Sequence, residues 1–472
     1  MGPQAAPSLD AVSVSAGGAH EPRVLGLWMC TALVVGNVIG VGIFVMPAAL
    51  APYGLNAVTG WLITVVGCAF LAITLCNLAR AFPRDDGPYT YTKRAFGDGV
   101  AFTVMWCYWF STWVTNATIA VGIVGYLTVF VPALSHSAFL PPVTALSLLW
   151  LFVLINVTGA RAVGWVQIMT TALKLVPLLG VILLGLWVLF TTPSAYVQHL
   201  PPNPPSFGAV SSVSTLALFA MLGIECAMIP AGRVRDPSRT IPRATVIGTI
   251  VTALIYIGVS LVPMLLIPQA ALAASNAPFA DLFARVLGPR AGEVLAIFVV
   301  IGGLGALNGW TMMLGEVTQS IARHGSFPRA LSKENPKGAP TLALVVTGVI
   351  ASIMLLSNYT HSIAGMFTLL SVIVTAGNLP FYFACCLAVI VGARTFTGVS
   401  PQRARMLIAV AVCATAYCAW ASIGIGTEPL LWALALVAAG LPVYWICRYQ
   451  AVVPPSIAKS APVTQVDSSE AR

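Results

Sequence analysis

Three ionisable side chains, Lys174, Glu225 and Glu316, lie inside long apolar stretches of the chain. A charge at the centre of a bilayer costs at least about 2.5–3.5 kcal/mol, so each of the three is a candidate functional residue. Glu316 lies nearer the cytoplasmic end of its stretch, and a water-facing, snorkelling or interhelical role is the alternative there. Glu225 could bind a cationic group, a proton, or each in turn. A desolvated ammonium releases its proton readily, so Lys174 could couple proton movement to gating or do the work of a bound sodium ion. A purely structural ion pair is the other interpretation of Lys174.

Glycines interrupt two of these apolar stretches. Residues 36–44 contain three glycines within seven residues, which is unfavourable in a helix. The second interrupted stretch has Gly223 just before Glu225, and Pro230 follows soon after. Such a pair of interrupted segments, at corresponding positions of two halves, is typical of a transporter's central site. Glycines that only permit close helix packing are the alternative, but the neighbouring Glu225 favours an unwound site.

Aromatic side chains also fall near the centres of apolar stretches, among them Tyr108, Phe219 and Trp310. Trp310 follows a glycine-rich segment, residues 302–305, where small residues allow helices to approach and leave the ring facing a cavity. A ring in that position could stack on an amine or a guanidinium group by cation–π attraction.

Membrane-spanning helices must position these residues. Of the 472 residues, 58% are hydrophobic and 8% are charged, against roughly 25% charged in soluble domains. Backbone groups in lipid must bond within their own segment, which favours helices. We therefore predict an all-α polytopic membrane protein with twelve transmembrane helices, at roughly 25–50, 56–79, 101–131, 142–158, 163–190, 208–230, 244–267, 292–321, 341–357, 363–392, 405–424 and 429–447.

The loops and tails indicate the orientation. Residues 1–22 and 449–472 lack long apolar runs and are predicted to be disordered tails, flanking a transmembrane domain of residues 23–448. With the N-terminus inside, nearly all Lys and Arg residues fall on the cytoplasmic side, and only Arg285 and Arg290 fall outside. This bias predicts a multi-pass protein of the cytoplasmic (inner) membrane with both termini in the cytoplasm.

Several other functions have no support in the sequence. The ten cysteines lie in apolar runs without a CxxC pair, and the five histidines are scattered, so we expect neither a metal nor another cofactor. The net charge of +9 comes without a basic stripe interleaved with aromatics, which argues against nucleic-acid binding. No cluster of Asp, His or Ser at a bilayer face supports an enzyme, and no soluble output domain supports a sensor.

Taken together, these motifs resemble the amino acid–polyamine–organocation transporters. Within that superfamily the chain is most similar to the basic amino acid/polyamine antiporters, particularly those of the arginine/agmatine type. The resemblance covers about residues 25–447, and its most specific part is the segment that joins helices 6 and 7. The motifs that carry it lie at residues 36–44, 87–97, 108–109, 116, 223–225, 230–244, 309–311 and 325–328.

The resemblance implies a fold of two inverted five-helix repeats, about residues 25–190 and 208–392, with helices 1 and 6 broken. Two C-terminal helices, about residues 405–447, follow the repeats, and the protein is expected to be a homodimer in the lipid bilayer. It also implies a substrate site at mid-membrane. The expected substrate-binding residues are Asn37, Val38, Gly40, Val41, Gly42, Ser111, Thr112, Asn116, Ile119, Phe219, Leu222 and Trp310.

Each part of this site has an implied role. The backbone from Val38 to Gly42 would hold the α-amino and carboxylate groups, and Asn116 would contact the distal amine. Outer and middle gates are implied at Phe219 and Trp310. Tyr108 and Glu225 would belong to the cytoplasmic gate. The full set of residues expected to act in gating or proton coupling is Tyr108, Lys174, Glu225 and Phe381.

The chain departs from the family pattern at several positions. Val41 stands where the family has Ser, Phe219 where it often has Trp, and Phe381 where it has a gating Tyr. The leading interpretation is a secondary transporter of a cationic amino acid or amine, most simply an antiporter, with protons as candidate coupling ions. A proton-coupled permease for neutral amino acids is the alternative, and it is favoured by Lys174 and Val41.

Overall fold

The computed structural model describes residues 26–81, 88–158, 160–196, 204–224, 236–323, 325–357, 362–393 and 400–452. Within these ranges the regular elements are helices, and no strand is present. The α-helices are α1 (Leu27–Val38), α2 (Gly42–Leu50), α3 (Asn56–Ala81), α4 (Pro88–Phe96), α5 (Asp98–Leu127), α6 (Ala133–His136), α7 (Leu140–Val157), α8 (Ala160–Thr191), α9 (Phe207–Ala220), α10 (Pro237–Leu266), α11 (Gln269–Ala273), α12 (Pro278–Leu287), α13 (Pro289–Arg323), α14 (Thr341–Ser357), α15 (Ile363–Gly392), α16 (Pro401–Ile423) and α17 (Thr427–Val452).

Many of these helices are suited to a membrane. In the described part of the chain, nine are long and apolar enough to cross one: α3, α5, α7, α8, α10, α13, α15, α16 and α17. Shorter apolar helices occur at α1, α2, α9 and α14. The chain is therefore a multi-pass membrane protein, as its composition predicts. The helical form follows because a helix satisfies its backbone hydrogen bonds within its own segment.

Two of the apolar helices end near glycines, at places where the sequence predicts an interruption. α1 ends at Val38 and α2 begins at Gly42, so residues 39–41 separate two helices of one apolar stretch. α9 ends at Ala220, and the turn that follows contains Gly223 with a φ of 102°. Residues with a side chain rarely adopt that φ, so glycine is the residue that fits there.

The centre of the bundle is α5, whose side chains are almost all buried. α15 and α13 pack along it, α8 packs against α13, and α1 packs against α10. Glycines allow these helices to approach closely. A Cβ atom on Gly377 of α15 would collide with the ring of Phe110, and one on Gly305 of α13 would collide with Thr170 of α8.

The periphery is more exposed. In α17, large hydrophobic side chains such as Leu431 and Trp445 lie on the surface, where they suit contact with lipid. The short helix α12 packs against α13 and against the start of α2. Its Phe279 packs edge to face on Phe44 of α2, with ring centroids 5.9 Å apart.

Candidate functional site

The end of α1 is held by side chains from two other helices. Lys174 Nζ of α8 donates a hydrogen bond to the carbonyl oxygen of Gly36 at 3.1 Å, and the Tyr256 hydroxyl of α10 donates to that of Val38 at 2.9 Å. Both donors are almost completely buried. The last carbonyl groups of a helix lack intrahelical partners and carry partial negative charge, which suits a cation and a hydroxyl donor. The break therefore has fixed boundaries.

Within the break, Gly40 and Val41 have different surroundings. A Cβ atom on Gly40 would meet no heavy atom within 4 Å, and Gly40 is half-buried, so its backbone borders open space. The side chain of Val41 is only 1% exposed and fills the space beside Gly122 of α5 and Gly303 of α13. Val41 thus anchors the break, while the Cβ side of Gly40 borders open space.

α2 begins beside the second broken helix. A Cβ atom on Gly42 would lie 2.9 Å from Cε1 of Phe219, in the last turn of α9. The Phe219 ring also contacts Phe367 of α15 edge to face, at 5.9 Å between centroids. Leu222 follows in the turn after α9 and is 4% exposed. The N-terminus of α2 carries free N–H groups and partial positive charge, which suits a carboxylate.

One face of α5 carries four of the predicted residues. Tyr108, Thr112, Asn116 and Ile119 lie at positions i, i+4, i+8 and i+11, and all four are buried. The same face continues toward Gly122, on which Val41 packs. Because a helix keeps these positions in register, α5 links the level of the α1 break to the level of Tyr108.

Two hydroxyl groups on α5 are already engaged. Ser111 Oγ and Thr112 Oγ1 both donate to the carbonyl oxygen of Tyr108, at 2.7 and 2.8 Å. Ser111 also packs next to Gly377 of α15, so it lies in the contact between these two helices. Of the two, Thr112 is the one that shares a face with Asn116.

Asn116 carries an unusual acceptor. Its Oδ1 atom is buried and has no hydrogen-bond partner among the described residues, and the whole residue is 2% exposed. Leaving a buried acceptor unpaired costs about 1–3 kcal/mol, so a donor that reaches it is favoured. Ammonium and guanidinium groups offer several N–H donors and no acceptor. The arrangement therefore favours a cationic group beside Asn116.

The remaining aromatic residues lie further along the helices. Trp310 is half-buried and lies two turns beyond Gly303 on the same face of α13. Tyr108 and Phe381 of α15 pack with ring centroids 4.9 Å apart, and Phe381 is fully buried. The structure thus brings together two residues for which the resemblance implies a role in gating.

Two of the predicted residues are outside the described part of the structure, one entirely and one in its side chain. Glu225 falls outside the described residues, and the side chain of Asn37 falls outside them as well. Lys174 forms no ion pair within the described ranges, where its hydrogen bond goes to a backbone carbonyl group instead.

Sequence reasoning missed the two tyrosines that hold the broken helix. Besides Tyr256, the buried Tyr126 of α5 donates to the carbonyl oxygen of Phe44 at 2.7 Å, and its own oxygen accepts from the N–H of Phe279 at 3.3 Å. The available signal was a tyrosine within an apolar helix, because a buried Tyr hydroxyl usually finds a partner.

Comparison with known proteins relates the whole chain to transporters. Residues 25–452 match a family described as amino acid permease. A Bacillus subtilis protein provisionally named an arginine/ornithine antiporter is 30% identical over 84% of this chain and 91% of its own length. The cadaverine/lysine antiporter of Escherichia coli is 30% identical over 77% of this chain and 82% of its own. The E. coli putrescine transporter PotE is 29% identical over 89% and 95%. These are transporters, so the prediction that the chain is not an enzyme is confirmed.

Proposed function

The chain belongs to the amino acid permease family, and we propose that it is a secondary antiporter that exchanges a cationic amino acid for a related amine. The relatives are named for arginine, ornithine, lysine, cadaverine and putrescine, all of which carry a distal cation or two amines. The observation that carries the proposal is the unpaired, buried Oδ1 of Asn116 on the site face of α5. An apolar amino acid side chain would leave that acceptor without a partner.

The substrate is proposed to lie between the broken helices. Its α-amino group faces the carbonyl end of α1 near Val38, and its carboxylate faces the N–H groups at the start of α2 near Gly42. The opposite polarity of these two helix ends supports this orientation. The distal cation then reaches Asn116, with the Trp310 ring available for cation–π stacking.

Gates on both sides of the substrate complete the proposal. Phe219, packed against Gly42, is proposed as the outer gate, and the Tyr108–Phe381 pair as part of the cytoplasmic gate. Glu225 is assigned to the cytoplasmic gate on its sequence position alone. Lys174 is proposed to link protonation to gating, because its ammonium group holds the end of α1.

The proposed architecture has twelve crossings in residues 23–448 between two cytoplasmic tails. We assign one crossing to α1 with α2, another to the apolar stretch of residues 208–230 that contains most of α9, and a third to α14, in addition to the nine long helices. Two inverted five-helix repeats would place both breaks at the centre of the membrane. The positive-inside bias supports an inner-membrane protein with cytoplasmic termini, and a homodimer in the bilayer is proposed from the family resemblance.

Exchange in proteoliposomes tests the function. Vesicles loaded with agmatine, cadaverine or putrescine should take up labelled arginine, lysine or ornithine only when a substrate is present inside. Asn116→Leu should weaken competition by the cationic substrates roughly ten- to hundredfold, because a hydrogen bond to a charged group is worth about 1.5–3 kcal/mol. Thr115→Val is the matched control, since the neighbouring Thr115 hydroxyl already donates to Ser111.

Two outcomes would contradict this proposal. Uptake of a neutral amino acid driven by a pH gradient, with no competition from any amine, would replace it by the proton-coupled permease. Equal competition curves for Asn116→Leu and Thr115→Val would remove Asn116 from the site while leaving antiport itself intact.

A further inference from the structure

α10 has one face lined by hydroxyl groups. Thr245, Thr249, Thr252, Tyr256 and Ser260 lie at positions i, i+4, i+7, i+11 and i+15, which fall within one narrow face of a helix. All five are buried, none more than 1% exposed. We refer to these five residues as the hydroxyl face of α10.

This face is turned toward the broken helix and α3. The Tyr256 hydroxyl donates to the carbonyl oxygen of Val38 in α1, and the Tyr256 ring lies edge to face on Trp61 of α3, at 5.8 Å between centroids. α10 packs closely on both α1 and α3. The hydroxyl face therefore lies in an interface of three helices, next to the α1 break.

Polar atoms without partners are concentrated in this interface. Seven buried side-chain polar atoms in the described part of the chain lack a hydrogen-bond partner, and four are Thr249 Oγ1, Thr252 Oγ1, Ser260 Oγ and Trp61 Nε1. Thr245, on the same face, behaves differently. It donates to the carbonyl oxygen of Ile241 at 2.9 Å, as buried threonines in helices commonly do.

The chemistry of these four atoms selects their ligand. A buried polar group without a partner is costly, and buried water is the usual remedy when two or more such groups surround one place. The Trp61 N–H can only donate, so it disfavours a bare cation, whereas the hydroxyl groups both donate and accept. A small neutral molecule that donates and accepts fits all four groups.

We propose that the interface of α1, α3 and α10 is a binding site for buried water, extending along the hydroxyl face from Thr249 to Ser260. Helix geometry separates these two residues by about 16 Å, so the site holds several waters rather than one. The Tyr256 hydroxyl donates its hydrogen bond to the Val38 carbonyl oxygen. Its oxygen can still accept a hydrogen bond from a neighbouring water, which links the Thr249 end of the site to the Ser260 end. In the proposed transport cycle, such water offers the α1 carbonyl groups a second donor when the helix shifts.

Radiolytic hydroxyl-radical labelling of the full-length protein in proteoliposomes tests for this water, because radicals form where water is present. Trp61 and Tyr256 should be oxidised several-fold faster than two matched buried residues, Trp109 and Tyr126. Trp109 donates to Thr318, and Tyr126 both donates to Phe44 and accepts from Phe279, so protein groups already engage the N–H and the hydroxyl of these two controls.

Variants of the hydroxyl face locate the water. Thr252→Val and Ser260→Ala should each lower the labelling of Trp61 and Tyr256 several-fold, whereas Thr245→Val should leave it unchanged. Labelling of Trp61 and Tyr256 no faster than that of Trp109 and Tyr126 would overturn the proposal. Thermal melting gives a second readout that needs no transport. A higher Tm for Thr249→Val and Thr252→Val would also overturn it, since removing a dry, unpaired hydroxyl relieves a cost.

Discussion

The two broken helices are held in different ways. At the break between α1 and α2, contacts from distant parts of the chain fix the backbone. Lys174 and Tyr256 donate to the last carbonyl groups of α1, and Val41 fits beside glycines of α5 and α13. Lys174 and Tyr256 are 138 and 218 residues away from the groups that they hold. This break depends on tertiary structure.

The break after α9 depends more on local backbone geometry. The N–H of Met221 bonds to the carbonyl oxygens of Ala217 and Leu218, and the N–H of Leu222 bonds to that of Phe219. Gly223 then adopts a φ of 102°, which a residue with a side chain rarely does. A substitution at the first break should therefore act through its partners, and a substitution at the second through the backbone itself.

The largest expected effect is the loss of Lys174. Lys174→Met should lower exchange more than about tenfold and flatten its dependence on pH between about 5 and 8, because the charge that holds the end of α1 is gone. Exchange in proteoliposomes at equal amounts of folded protein is the measurement. Lys93→Met, at an exposed ion pair with Asp98, is the control and should behave as wild type. Equal rates and equal pH curves for Lys174→Met would leave Lys174 without a role in coupling.

Alanine substitutions of one glycine at each break give the next effect. Gly223→Ala should reduce the free energy of unfolding by about 1–3 kcal/mol, because alanine is strained at that φ. Gly40→Ala should leave stability within about 0.5 kcal/mol, since its Cβ atom meets open space and its φ is not positive. Thermal melting in detergent measures both.

Substrate binding should reverse that order. The Cβ atom of Gly40→Ala projects into the space proposed for the substrate. The affinity of this variant for substrate should therefore fall, although the protein melts normally. Unchanged affinity in Gly40→Ala would move the proposed substrate away from the α1 break, and equal melting of the two variants would end the distinction between the breaks.

The sequence predicts the general plan well and the tertiary contacts poorly. Apolar stretches and their glycines are enough to predict the helices, the interruption before Gly42 and the turn at Gly223, because these are local properties. The contact of Tyr108 with Phe381 is not predicted, because the family resemblance implies only that each has a gating role. The hydrogen bond from Tyr256 to Val38 cannot be inferred, because nothing near either residue specifies which helices will meet.

Val41 shows the same limit within the site. In the sequence, a valine in place of serine indicates only a missing hydroxyl group for the substrate carboxylate. In the structure, the two methyl groups fill the spaces beside Gly122 and Gly303, so the residue stabilises the contact of α2 with α5 and α13. The orientation of a side chain at a helix break depends on neighbours that local spacing does not determine.

Val41→Ser should therefore reduce the stability of the protein more than it changes the substrate preference. Losing the methyl groups and burying a hydroxyl should reduce the free energy of unfolding by about 1–2 kcal/mol. The preference for arginine over agmatine should change by less than about twofold, because a hydroxyl in either methyl position faces a glycine. Val41→Thr, which keeps the shape, separates lost volume from added polarity. A shift of about fivefold toward arginine would show that the hydroxyl reaches the carboxylate.

The smallest expected effect compares a single hydrogen bond at each broken helix. Tyr256→Phe removes the donor to the Val38 carbonyl oxygen, which has no backbone partner among the described residues, and should cost about 1 kcal/mol. Thr375→Val removes a donor to the Thr215 carbonyl oxygen at 3.1 Å, but that oxygen lies inside α9, where the helix supplies another donor. The free energy of unfolding of Thr375→Val should therefore fall by about 0.5 kcal/mol or less. Thermal melting of the two variants beside wild type measures the difference. A larger loss in Thr375→Val would mean that the α9 break also depends on distant side chains, and the contrast between the two breaks would no longer hold.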